Sequence, residues 1–195
     1  MAPISAGEGG CAPIRPREIQ ETGSIVIRFV GDSGDGMQLT GGAFARLMGR
    51  AGHDFATHPD YPPEISAPTG TLFGVSGFQI QLAGDRALTS GDRPDLLVAM
   101  NPAALATNLP DAKPGATLIV NSGAFTPGNL EKAGYVGNPL DDGSLGAYRV
   151  LAVDMSGLTA QALADSGLGK KEAGRCKNYF ALGLMLALFG ERPEA

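Results

Sequence analysis

The stretch Ser24–Arg50, SIVIRFVGDSGDGMQLTGGAFARLMGR, reads as an apolar strand that runs into a glycine loop and then into a helix. Ile25, Val26, Ile27, Phe29 and Val30 form a nearly continuous β-branched and aromatic run, the signature of a central strand covered on both faces in a parallel sheet. The loop Gly31-Asp32-Ser33-Gly34-Asp35-Gly36 opens backbone conformations closed to residues with a Cβ. Its amides precede a helix N-terminus, where unpaired N–H groups and the positive end of the helix dipole favour an anion. The spacing is G-x-x-G-x-G, whereas a dinucleotide fingerprint is G-x-G-x-x-G, and Asp32 and Asp35 place negative charge where a pyrophosphate would lie. The loop has no Gly-Lys-Ser/Thr of a P-loop, and Asp35 stands where a nucleophile elbow needs its second glycine. Glycine content alone leaves two readings open: a tight strand-to-helix turn, or a loop that holds a ligand's phosphates or an acyl carrier.

The 195 residues suffice for one domain with a real core. With 43% hydrophobic and 18% charged residues the composition is that of a soluble globular protein, and a formal charge of -5 argues against nucleic acid as a partner. Residues 1–23 are rich in Gly, Pro and charge and lack a signal peptide's apolar core, so a flexible leader is expected. The longest apolar run, Tyr179 to Gly190, falls short of the roughly 20 residues that span a bilayer and is expected as a buried helix. These features predict a cytoplasmic protein with no membrane contact. Cys11 and Cys176 suggest two reduced thiols, and His53 and His58 lack metal-ligand spacing, so no metal is expected.

Beyond the opening stretch, the first helix carries Leu39, Phe44, Leu47 and Met48 at helical spacing, with Gly42 and Ala43 allowing close approach to the sheet. Asp54–Thr57 reads as a short strand. His58–Gly70, HPDYPPEISAPTG, holds four prolines and excludes a helix or central strand; we read it as a docking loop with Tyr61 and Ile65 as anchors. Thr71–Leu82 is expected as a strand near the sheet edge, with Gln79 and Gln81 on one face and Phe78, Ile80 and Leu82 on the other. Buried strands follow at Asp95–Met100 and Ala116–Val120, joined by a helix from Asn101-Pro102 to Asn108. Gly123–Ala147 is weakly patterned. Tyr148–Val153 is the last strand, and helices are predicted over Leu158–Asp165 and over Lys170–Phe189, the second ending at Gly190 with Pro193 beyond it.

The predicted fold is therefore a single α/β domain, a Rossmann-like open and mostly parallel sheet with helices on both faces. Ligands in such sheets bind beyond the carboxyl ends of the strands. Gly31–Gly36, Asn101-Pro102, Asn121-Ser122 and Asp154–Ser156 all follow strands and should line one edge. Asn101 is either a ligand contact or only a helix cap. Lys170, Lys171, Arg175 and Lys177, at the start of a helix, oppose its dipole; they would favour a nearby anion or form a solvated face. No self-sufficient catalytic constellation is evident, and no catalytic residue is assigned.

The blocks GDSGDGMQLTGGAFARLM, YPPEISAPTGTLFGVSGFQIQL, DLLVAMNPAAL and KKEAGRCKNYFALGL resemble, in order and spacing, the gamma domain of the 2-oxoacid:ferredoxin oxidoreductases, over roughly Ser24 to Phe189. The likeness is greatest to the 2-oxoglutarate type, whose gamma domain forms the N-terminal part of the alpha chain. The resemblance implies a gamma-type domain over residues 24–190, with 191–195 as a tail or the start of a linker. It implies an enzyme that decarboxylates a 2-oxoacid on thiamine diphosphate, passes electrons through an iron-sulfur cluster to ferredoxin and hands the acyl group to coenzyme A. Thiamine diphosphate and the cluster belong to the alpha- and beta-type portions, which are the implied partners. The gamma domain packs against them and helps to hold coenzyme A. Gly31, Ser33, Gly34, Gly36 and Gln38 match the family's glycine motif and, with Asn101, are the coenzyme A candidates. Ser66 departs from the family's frequent Arg, and the chain stops at Ala195 where a fused alpha chain continues, as a separate subunit or a fragment. A free-standing nucleotide- or acyl-CoA-binding regulatory module is the alternative.

Overall fold

The computed structural model describes residues 23–61 and 74–191. The expected leader, most of the proline loop with Ile65 and Ser66, and the last four residues of the expected tail lie outside them. In chain order the elements are β1 (Ser24–Asp32), α1 (Met37–Arg50), β2 (Asp54–Asp60), β3 (Val75–Ala83), β4 (Leu96–Ala99), α2 (Pro102–Asn108), β5 (Thr117–Asn121), α3 (Pro127–Lys132), β6 (Arg149–Val153), α4 (Met155–Ala162), α5 (Lys170–Arg175) and α6 (Lys177–Leu188). The six strands form one sheet in the order β2-β3-β1-β4-β5-β6. β1, β4, β5 and β6 pair in parallel, and β3 runs antiparallel to both β1 and β2.

Side chains that alternate across β1 build two separate cores. Ile27 and Phe29 join Phe44 and Met48 of α1 and Ala181 and Met185 of α6 on one face, while Val30 joins Ala104 and Leu105 of α2 and Leu130 of α3 on the other. Each face buries its own apolar layer, so the sheet is sandwiched as the continuous apolar run of β1 implies. Phe44 forms edge-to-face pairs with Phe29 and Phe189, ring centroids 5.6 and 5.5 Å apart.

β3 lies one strand in from the edge, in keeping with its expected place near the edge. Several expectations are corrected. The strand expected over Asp54–Thr57 is the edge strand β2 and runs on through His58 and Pro59, since an edge strand tolerates proline. Leu39 is exposed, and it is Gly41 rather than Gly42 that meets the sheet: a Cβ there would collide with Cβ and the ring of Phe78. The helix predicted from Leu158 begins at Met155, because the Asp154 carboxylate accepts from Gly157 N at 2.8 Å and caps it. The long last helix is two, α5 and α6, broken at Cys176. α6 is buried along one side only, leaving Tyr179 and Leu188 exposed.

Candidate functional site

β1 is the switch point of the sheet: the chain leaves it for β2 on one side, while β4 and β5 extend the sheet on the other. Open α/β sheets have their crevice at such a point. The β1–α1 loop and the β4–α2 turn meet here, where Asn101 Nδ2 donates to Asp32 Oδ1 at 2.8 Å. Asn101 Oδ1 meanwhile accepts from Ala104 N at 2.8 Å, so the residue is both the cap of α2 and a bridge to the glycine loop. The adjoining strand end is tied in as well. Asn121 is fully buried; its amide donates to Met100 O at 3.2 Å and Ser156 Oγ at 2.9 Å, and its Oδ1 accepts from Ser156 N at 3.1 Å. The strand ends singled out in the sequence thus form one continuous polar edge.

Within the loop, Asp35 N donates to Asp32 O at 2.8 Å and closes a tight turn. Ser33 and Gly34 stand exposed at its tip, and an added Cβ at Gly34 would meet nothing within 4 Å. Gly36 has φ 72°, a left-handed conformation that favours glycine, and its carbonyl receives both Thr40 N (2.9 Å) and Thr40 Oγ1 (3.1 Å). Gln38 is placed differently. Its Nε2 donates to Gly77 O at 2.7 Å, with Asp60 O at 3.1 Å and Ser76 Oγ at 3.3 Å, so that amide pins α1 to β2 and β3.

The two aspartates, to which sequence alone assigns no role, are now placed. The basic cluster divides: Lys170, Lys171 and Arg175 are exposed, whereas Lys177 Nζ lies 2.8 Å from Asp35 Oδ1. Burial, with the neighbouring charge of Asp35, holds the Asp32 carboxyl above its usual range; Asn101's hydrogen bond and Lys177's charge pull the other way. A carboxyl whose pKa rises on folding favours the folded state below its unfolded value, near 3.9, and loses that contribution as pH climbs through the folded value. Asp32→Asn, which keeps an acceptor for Asn101, is therefore expected to raise Tm by about 1–3 °C at pH 7. Thermal melts from pH 7 down to 3 should show the advantage fading below about pH 4; an advantage that grew toward acid would contradict this.

Asn178 escaped the sequence reading entirely. It is 5% exposed, and its Nδ2 would lie 2.5 Å from a Cβ at Gly36. Only the adjacent Lys177, in a basic run at a helix start, pointed to this wall. Among the described residues no three His, Cys, Asp or Glu side chains converge on a common point, and no helix is long and apolar enough to cross a membrane.

The profile of the family described as pyruvate ferredoxin/flavodoxin oxidoreductase matches residues 26–195. The chain is 54% identical over 175 residues to the 2-oxoglutarate oxidoreductase subunit KorA of Mycobacterium tuberculosis, an alignment that takes in 90% of the chain and 27% of that relative. The chain thus spans about a quarter of the relative's length. Among solved structures, 86% of the chain superposes on 25% of a chain of the 2-oxoglutarate:ferredoxin oxidoreductase of Magnetococcus marinus, solved with 2-oxoglutarate, coenzyme A and succinyl-CoA bound, at TM-score 0.63 and 24% identity. A keto/oxoacid ferredoxin oxidoreductase gamma subunit from Geobacter sulfurreducens superposes over 85% of this chain and 78% of its own, at TM-score 0.58 and 23% identity. These two likenesses concern the fold, and they agree with the six-stranded, mostly parallel sheet described above. With the family profile covering nearly all of the chain and more than half of aligned positions identical to a curated relative, the chain belongs to the pyruvate ferredoxin/flavodoxin oxidoreductase family.

Proposed function

We propose that this chain is the gamma-type domain of a 2-oxoacid:ferredoxin oxidoreductase that converts 2-oxoglutarate oxidatively to an acyl-CoA and CO2. In this reading the domain helps to hold coenzyme A, packs against alpha- and beta-type portions and is not catalytic alone. The observation that carries the reading is the 54% identity to a 2-oxoglutarate oxidoreductase subunit across nearly the whole chain. The glycine loop at the switch point supplies the physical support for coenzyme A, since Ser33 and Gly34 leave the tip open to close approach. Gly31, Gly36 and Asn101 shape the loop behind that tip, and Gln38 anchors the helix that follows it to β2 and β3. Thiamine diphosphate and the iron-sulfur cluster would reside on the partner portions, ferredoxin would accept the electrons, and the assembly would work in the cytoplasm.

Purification of the native protein tests the reading. The expected result is co-purification with polypeptides carrying thiamine diphosphate and iron, and reduction of ferredoxin that requires both 2-oxoglutarate and coenzyme A. A native protein that runs as a monomer without such a partner would overturn it.

The packing role has its own support at β6. This edge strand is exposed on both faces, with Val150 40% and Leu151 39% accessible, and Leu158 of α4 is exposed nearby in sequence. Apolar side chains on an edge strand with one open side mark a docking surface. An environment-sensitive apolar dye is expected to bind the chain alone and to lose most of its fluorescence enhancement in the assembled enzyme. Equal signals from the two would count against β6 as the docking surface.

A further inference from the structure

The glycine loop already holds an anion, and it is the loop's own. Asp35 Oδ2 accepts from Asp32 N at 3.2 Å, while Asp35 Oδ1 lies 2.8 Å from Lys177 Nζ. The side chains of Asp35 and Lys177 are only 11% and 22% exposed, so this ion pair faces inward. Gly31 makes room for it: a Cβ there would come within 3.0 Å of Asp35 Oδ2. Beside the pair stands Asn178, more than nine-tenths buried. Its Oδ1 accepts from Tyr179 N at 2.8 Å, while its Nδ2 faces Gly36 and donates to no described residue. A cation and a spare amide donor thus converge on the loop from the first turn of α6.

Two carboxylates share this corner with one ammonium, and the nearby Asp32 is itself held toward its neutral form by burial and by Asp35. Exchanging the Asp35 carboxylate for a phosphate oxygen keeps Lys177 charge-paired. A phosphate oxygen placed there would also accept from the Asn178 amide. We infer that Asp35 occupies the position of a ligand's phosphate, and that Lys177 and Asn178 are the specificity-determining partners of that phosphate once the Asp35 side chain turns outward. The ligand class is a pyrophosphate-bearing acyl carrier, which rests on the coenzyme A reading above and adds two residues on α6 and a built-in competitor to it.

The test uses the full chain in its native assembly, titrated calorimetrically with inorganic pyrophosphate and with coenzyme A. Asp35→Asn removes the competitor and should tighten both ligands about tenfold, as expected when one charge-assisted hydrogen bond no longer has to be broken. Lys177→Met should weaken both at least tenfold, with Lys177→Arg restoring most of the affinity. Asp35→Asn binding that is unchanged or weaker overturns the inference, and so does Lys177→Met binding equal to wild type. Should a variant fail to fold, the wild-type assembly carrying 13C-dimethylated lysines replaces it: the Lys177 resonance is expected to shift as pyrophosphate is added, and a static resonance overturns the inference. Coenzyme A binding that neither variant alters would defeat the inference and leave the coenzyme A reading intact. Pyrophosphate binding with the stated pattern, in an assembly that takes no coenzyme A, would do the reverse.

Discussion

Gly41→Leu is expected to cost at least about 3 kcal/mol of folding stability, a large share of the 5–15 kcal/mol typical of a domain, and Gly41→Ala about 1–3 kcal/mol. The size follows from where α1 rests. A Cβ at Gly41 would run into the root of the Phe78 side chain, its Cβ and first ring carbon, rather than a ring tip able to swing aside. Phe78 is held in β3 between two paired strands, so α1 itself has to lift from the sheet. Opposing this, replacing a helix-interior glycine by alanine ordinarily gains about 0.5–1 kcal/mol. The neighbouring residue separates the two effects: at Gly42 a Cβ meets only Arg46 Nη1, at 3.7 Å, so Gly42→Ala is expected to stabilise by that ordinary amount. Urea denaturation of the two alanine variants should give opposite signs. A Gly41→Ala protein as stable as wild type would mean that α1 and β3 are not in the contact described.

The second large effect is functional. Gly34→Val is expected to weaken coenzyme A at least tenfold in the assembled enzyme while leaving Tm nearly unchanged, since an isolated surface substitution typically stays within about 0.5 kcal/mol. Gly34 has an ordinary φ and open space around its Cα, so valine fits the folded chain. What it obstructs is the approach of a ligand to the loop backbone. Calorimetry with coenzyme A checks this. Unchanged affinity would remove the loop tip from the site, whereas lost affinity with a lowered Tm would trace the effect to folding.

Much of this architecture was readable from residues alone, for reasons that differ by element. The apolar runs of β1, β4 and β5 carry enough β-branched and aromatic character to mark strands covered on both faces, and Asn101-Pro102 announces a helix start. The strand-end rule then gathers Gly31–Gly36, Asn101, Asn121 and Asp154 onto one edge without coordinates. β6 shows the limit. Arg149–Val153 has the same apolar character as the buried strands yet lies open on both faces, because composition does not distinguish a strand already covered from one awaiting cover. Likewise Lys170–Leu188 carries no proline to announce the break at Cys176. Without that break the sequence offers no reason to aim Lys177 inward while Lys170, Lys171 and Arg175 face solvent. The roles of Asp32 and Asp35 depend on partners some 70 and 140 positions away, a long-range geometry that no local spacing encodes.

The antiparallel placement of β3 has a kinetic consequence. β2 pairs with β3 alone, and among its residues only Phe55 and Ala56 are even half-buried. It can peel away while β3 stays paired with β1 and the other strands keep their partners. Amide hydrogen exchange should therefore be faster along Asp54–Asp60 than along β1 and β4. β2 is also the strand leading directly into the proline segment beyond Tyr61, so whatever engages that segment would also set the rate at which this side of the sheet breathes.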